Sequence, residues 1–260
     1  MKTKLLMASM ALATAFNAQA VQITFGSFTG EWENVVAQAE PFPPVPGPAG
    51  TTTEIFWGEG TPTQSLQSGY RFESSMLAPI EFDPMVGMSG NFELGTFTHL
   101  NNVITGASSS LISVDLRLKT QITVGVLAPE DIEFLFSFTH EETPNSANPC
   151  AYGPAGQTGV NENGCADQVT TTTNEFTDTF MIDGVDYTID IRGFTVGGNF
   201  VDGFLTKERV DNSAQIIAKI TAFEDINEVP EPTPFAILGA GLLGLGAVRR
   251  MKKTKAENTK

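Results

Sequence analysis

The sequence predicts an all-β fold: an antiparallel β-sandwich or jelly-roll-like single domain, set between an apolar N-terminal segment and a short apolar C-terminal helix. Three observations point there. No 3.6-residue apolar periodicity is sustained between residues 21 and 228, so amphipathic helices are not expected. Short runs rich in Val, Ile, Phe and Thr alternate with clusters of Gly, Pro, Asn and Ser, the pattern of strands and turns. The 19 phenylalanines supply ample apolar area for one core, which about ten short strands would enclose between two sheets.

In chain order, residues 22–28 open the domain with Ile23 and Phe25 alternating against Thr24 and Gly26. Residues 32–40 fit a strand or a single helical turn. Residues 39–52 carry Pro41, Pro43, Pro44, Pro46 and Pro48; proline fixes φ and lacks a donor, so this is a loop. Residues 54–57 and 68–72 read as strands flanking a turn-rich stretch at 58–62. Residues 90–99 form a strand with Phe92, Leu94 and Phe97 inward. Residues 112–118 alternate in period two, and residues 122–126 continue after a short break. Residues 131–138 put Ile132, Phe134, Phe136 and Phe138 on one face. Residues 176–182, Asp183-Gly184 and residues 185–191 make the best hairpin, because Asp-Gly suits the positive φ angles of a type I′ turn. Residues 193–201 and 214–223 would close the sheet.

The two ends carry their own signals. Lys2 and Lys4 precede an apolar run at 5–16, and Ala18 and Ala20 give the small-x-small cleavage pattern of a secretory signal peptide. Residues 1–20 are therefore expected to direct export through the Sec machinery and to be removed by signal peptidase. At the other end, Val229, Pro230, Glu231 and Pro232 precede an uncharged stretch at 235–248, followed by Arg249, Arg250, Lys252 and Lys253. The stretch is 14 residues long, roughly 21 Å as a helix, against a hydrocarbon core of about 30 Å. Gly239, Gly241, Gly244 and Gly246 weaken it further. The basic cluster belongs on the cytoplasmic side, with a polar tail at 254–260. An ordinary single-pass anchor is the alternative reading of this end.

Processing at both ends would sharpen the charge. Of 15 basic and 30 acidic residues, eight basic and two acidic ones lie in the terminal segments, so the remainder carries a net charge of −21. Such a surface repels nucleic acid and anionic headgroups, so no nucleic-acid partner is expected. Cys150 and Cys165 sit in a Pro/Gly/Asn-rich region. In an exported chain they are expected to form a disulfide, whose loop of about 15 residues is worth roughly 3 kcal/mol. With His140 as a third ligand they would make a poor zinc site.

The C-terminal residues resemble the PEP-CTERM sorting signal of Gram-negative exported proteins, over residues 229–253: Pro230-Glu231-Pro232, a Gly/Leu-rich helix and a basic end. The resemblance implies cleavage near Pro-Glu-Pro by an exosortase, transient inner-membrane association, and delivery to the cell surface or matrix, usually in bacteria that make exopolysaccharide. The polar tail at 254–260 departs from the family's abrupt basic stop. The resulting organisation is a signal peptide at 1–20, an extracellular domain at 21–227, a sorting signal at 228–253 and the tail.

Inside the domain, Thr139, His140, Glu142, Pro144 and Asn145 resemble the Thr-His-x-Glu-x-Pro-Asn segment of choice-of-anchor domains, bacterial surface domains of one fold that occur with different sorting signals. That resemblance implies location and fold, with His140, Glu142 and Asn145 as the positions carried over. By itself His140 with Glu141 or Glu142 could do acid–base work. No nucleophile lies nearby in sequence and no Gly-x-Ser-x-Gly turn occurs; a strand-end histidine bonding a loop carbonyl, with a turn at Pro144-Asn145, fits better. Structural calcium would use Asp178, Asp183, Asp186 and Asp190 around the hairpin, with Asp202 and Asp211 later, although no Asp-x-Asp-x-Asp-Gly run appears. Trp32, Trp57, Tyr70 and Tyr152 are expected in the core or singly exposed rather than on a sugar-stacking platform, and His99 as a structural residue. The expected role is a non-enzymatic surface or exopolysaccharide-matrix protein, without catalytic residues or an obligate cofactor, in adhesion or a biofilm or floc. A secreted glycan hydrolase and a calcium-stabilised lectin-like module are the alternatives.

Overall fold

The computed structural model describes residues 20–38, 41–63, 65–156, 158–171, 176–177, 179–182 and 184–222. Among these, the strands are β1 (Val21–Phe25), β2 (Thr29–Ala37), β3 (Val45–Pro46), β4 (Thr52–Trp57), β5 (Ser68–Ser74), β6 (Ile80–Phe82), β7 (Phe92–Asn101) and β8 (Leu111–Val124). They continue as β9 (Glu130–Glu141), β10 (Asp167–Thr171), β11 (Phe176–Thr177), β12 (Thr179–Ile182), β13 (Val185–Val196), β14 (Asn199–Val201), β15 (Gly203–Thr206) and β16 (Val210–Ala222). The helical element among the described residues is one 3-10 turn, Gly159–Asn161.

These strands form two antiparallel sheets. The first runs β15-β10-β9-β8-β1-β6, with β2 also on β8 and β11 on β9. The second runs β12-β13-β16-β7-β5-β4-β3, with β14 on β13. The inner faces share one core, because period-two alternation sends one side of each strand inward. On β9, Ile132, Phe134, Phe136 and Phe138 are all buried, as the sequence predicts. Phe97 of the second sheet packs at ring distances of 6.4 Å on Trp32 and 5.1 Å on Phe138 of the first. Trp32, Trp57 and Tyr70 are buried in this core, so they form no exposed platform; Tyr152 is half-buried.

Several elements differ from the sequence reading. Of the two readings of 32–40 the strand holds over 32–37, within β2 against β8, and residues 39–40 lie outside the described residues. The break expected near residue 120 is absent: β8 runs unbroken, its residues 119–121 laddered to Glu133, Ile132 and Asp131. Thr120 takes an inward position and satisfies its hydroxyl on the Gly26 carbonyl at 3.0 Å, so a polar residue continues the apolar face. Ile112 is exposed, because the register shifts where Val36 and Ala37 meet Ser113 and Leu111. The run 176–182 is split between sheets: Phe176 and Thr177 pair with β9, whereas 179–182 pair with β13. The hairpin pairing itself holds, with Ile182 opposite Val185 and Gly184 at φ +82°, while Asp183 lies outside the described residues. Residues 193–201 are a hairpin rather than one strand, turned by Gly197 and Gly198 at positive φ.

Cys150 and Cys165 are joined at 2.07 Å in the long loop between β9 and β10. Asn161 braces that loop, its amide donating to the carbonyls of Tyr152 and Pro154 and its Oδ1 accepting from the Ala166 amide. Among the described residues no helix is long and apolar enough to cross a membrane. The predicted signal-peptide body and the whole of 228–260, including Pro230-Glu231-Pro232 and the apolar stretch at 235–248, lie outside the described residues.

Candidate functional site

A polar cluster occupies one end of the core, where strands of both sheets meet. The register sets it. On the second sheet, Tyr70 of β5 lies opposite His99 of β7. On the first, Val169 of β10 lies opposite His140 of β9, and Asp167 opposite Thr206 at the end of β15. His99, Asn101, His140, Asp167, Thr206 and Glu208 are all buried. Trp57 stacks on His99 at 5.8 Å and meets His140 edge-on at 5.2 Å, with the two imidazoles 5.0 Å apart.

Hydrogen bonds engage three of the four imidazole nitrogens. The Thr206 hydroxyl donates to the Asp167 carbonyl at 3.3 Å and lies 2.9 Å from His99 Nδ1. The same hydroxyl accepts from the Asn101 side-chain amide at 3.3 Å. His99 Nε2 has no hydrogen-bond partner within the protein. His140 Nδ1 lies 2.7 Å from the Tyr70 hydroxyl and Nε2 lies 3.3 Å from Glu142 Oε2. Tyr70 and Glu142 thus occupy both ring nitrogens of His140. The sequence reading placed a loop carbonyl on this ring; a tyrosine and a carboxylate take its place.

Three carboxylates converge beside the histidines. Ligand atoms of Glu142, Asp167 and Glu208 lie within 4.8 Å of one another, as do those of His99, His140 and Asp167. Asp167 Oδ1 accepts from the Thr143 amide at 2.7 Å and the Asn101 side chain also bears on the carboxylate, but Oδ2 lacks a well-formed hydrogen bond. Neither oxygen of Glu208 has a well-formed hydrogen bond within the protein. Buried polar atoms are normally satisfied, and an unsatisfied buried charge is costly. Burial, then the neighbouring Glu142 charge, pushes the Asp167 carboxyl up to about 7. Burial, then Asp167 and Glu142, pushes Glu208 up to about 8, with Asn145 and Arg209 offsetting only part. Burial also raises the Tyr70 hydroxyl well above its ordinary range and, with His140, holds His99 well below it.

Local backbone explains how a charged-looking turn delivers Glu208 inward. Lys207-Glu208-Arg209 links β15 to β16. Arg209 sits at φ +65°, rare for a non-glycine residue, and is fixed there by its amide bond to the Asn101 carbonyl at 2.7 Å. Asn212 clamps the same turn by accepting from the Lys207 amide and donating to its carbonyl. Gly164, at φ +146°, has no room for a side chain: a Cβ there would lie 2.5 Å from Asn145 Oδ1 and 3.0 Å from Glu208 Cγ.

Of the carried-over motif, His140, Glu142 and Asn145 come together at this cluster. Thr139 does not; it is exposed and hydrogen-bonds Thr170 across the β9–β10 ladder. Pro144 is exposed and starts a turn closed by the Ala147 amide at 2.9 Å. The acids expected to bind calcium do not assemble among the described residues. Asp186, Asp202 and Asp211 are exposed, Asp190 is half-buried beside Arg192, and Asp178 and Asp183 lie outside the described residues. Tyr70, His99, Asn101, Asp167 and Glu208 were missed as members of a shared site. The adjacency of Asp167 to Cys165 was the one available signal, since a disulfide pins its neighbours. No protein-family model matches the chain, and no similar curated protein was found.

Proposed function

We propose that this chain is an exported cell-surface or exopolysaccharide-matrix protein. Its β-sandwich, jelly-roll-like domain acts without catalysis in adhesion, biofilm or floc, after processing at Pro230-Glu231-Pro232 by an exosortase. The observation that carries the reading is the Cys150–Cys165 disulfide, since such bonds persist in oxidising compartments outside the cytoplasm. The signal-peptide pattern before Val21, the strongly acidic remainder and the PEP-CTERM resemblance point the same way. The test is to replace Pro230, Glu231 and Pro232 by alanine in the native host and fractionate the cells. The proposal expects the variant to accumulate unprocessed in the inner membrane while the wild type reaches the surface or medium. Identical distribution and size of the two would overturn it. The lectin-like reading gains from the buried carboxylate cluster, and polysaccharide binding with and without chelator separates it from plain adhesion.

A further inference from the structure

We infer that Glu142, Asp167 and Glu208, with the Asn145 side-chain carbonyl, form a binding site for one hard divalent cation of the calcium type, which ties β9, β10 and the β15–β16 turn together. This inference does not depend on the route of export. Its ground is the arrangement of oxygens. Glu208 is fully buried, yet both its carboxylate oxygens lack well-formed hydrogen bonds, the Asn145 side chain offering only a partial one. Asp167 is fully buried with Oδ2 lacking a well-formed hydrogen bond, and the Asn145 Oδ1 is buried and unpartnered too. The close approach of both Asn145 Oδ1 and Glu208 Cγ to the point where a Gly164 Cβ would stand shows that they face the same small space. A separate observation points to a ligand: the fully buried His99 carries an unpartnered Nε2, and a His99 ring nitrogen lies within 4.8 Å of an Asp167 oxygen.

Ionising all three carboxyls together calls for a counterion. Three carboxylates in a mostly buried cluster repel one another strongly at low effective dielectric. His140 is already engaged on both ring nitrogens by Tyr70 and Glu142. Arg209 bears on Glu208 but only partly offsets the shift that burial causes. A doubly charged ion between the carboxylates relieves the repulsion and satisfies the orphaned oxygens together.

The donor set selects the ion. With His140 engaged, only His99 Nε2 offers nitrogen, whereas zinc sites collect several nitrogen or sulfur donors. Carboxylate and amide oxygens, completed by solvent, suit calcium, which takes six to eight oxygens at about 2.3–2.6 Å. Access is available, because the Glu142 side chain is 14% exposed and lines a surface cleft of about 440 Å³ with Thr143 and Asn145. The acids come from β10, the post-β9 segment and the β15–β16 turn, so the ion would cross-link distant parts of the chain.

The test uses the full chain, oxidised and stripped with chelator, by calorimetric titration and thermal unfolding with calcium, magnesium and zinc chlorides. Calcium is expected to bind at about one ion per chain and to raise the unfolding midpoint. The isosteric Glu208→Gln and Asp167→Asn variants should weaken that binding by on the order of tenfold or more, while Asp186→Asn leaves it unchanged. Absence of calcium binding to wild type overturns the inference, and so does full retention of binding in both variants. Tight zinc binding without a calcium response would also overturn it, by moving the site to the histidines. Should either variant fail to fold, the wild-type titration still decides.

Discussion

Replacing both cysteines, Cys150→Ser with Cys165→Ser, isolates what the disulfide contributes. The bond closes a loop of sequence separation 15, for which restriction of the unfolded chain is worth roughly 3 kcal/mol. The native loop has other supports: Asn161 is buried and bonds the backbone at Tyr152, Pro154 and Ala166, and the Thr143 hydroxyl bonds the carbonyls of Cys165 and Ala166. The folded loop should therefore keep its shape without the bond, leaving the unfolded-state term dominant. For a domain of this size 1 kcal/mol corresponds to about 2–4 °C, so the midpoint should fall by roughly 6–12 °C. Thermal unfolding followed by circular dichroism, with oxidised wild type beside the double variant, reads it directly. Circular dichroism of the folded variant should be unchanged. A midpoint within about 1 °C of wild type would refute the reasoning.

Other substitutions and conditions test the remaining links. Phe97 touches aromatic rings of both sheets, so Phe97→Ala should cost about 3–5 kcal/mol in chemical denaturation; a loss below about 1 kcal/mol would mean the sheets do not share that core. With chelator present, Asp167 and Glu208 hold their protons more tightly folded than unfolded, up to about 7 and about 8. Their stabilising contribution is full below the ordinary carboxyl range and is lost as pH rises through those values. The stripped protein should therefore become less stable from about pH 4 to about pH 8 and change little above that; a midpoint that rises between about pH 6 and about pH 8 would contradict the burial of these groups. Gly164→Ala should destabilise by about 1 kcal/mol or more, since it adds strain at positive φ, and equal stability to wild type would remove the crowding at Asn145.

The strand framework was largely legible because alternation is local: β9 could be read from four phenylalanine and isoleucine positions, and the Asp183-Gly184 hairpin from its turn chemistry. The failures share a cause. Thr120 looks like a break until its hydroxyl is seen to bond Gly26, and residues 176–182 look continuous until two sheets compete for them. In each case long-range pairing overrode a local pattern. The site was half legible. His140, Glu142 and Asn145 fall close together in sequence, whereas Asp167 and Glu208 reach them only through sheet register and the Arg209 turn. Nothing local in Lys207-Glu208-Arg209 reveals that its central carboxylate is buried.

Intact mass of the protein recovered from its native cells tests the account most directly. The account predicts a chain that begins at Val21, ends near Pro232 and carries an oxidised Cys150–Cys165 pair. Recovery of a chain that keeps residues 235–260, with both thiols free, would contradict it.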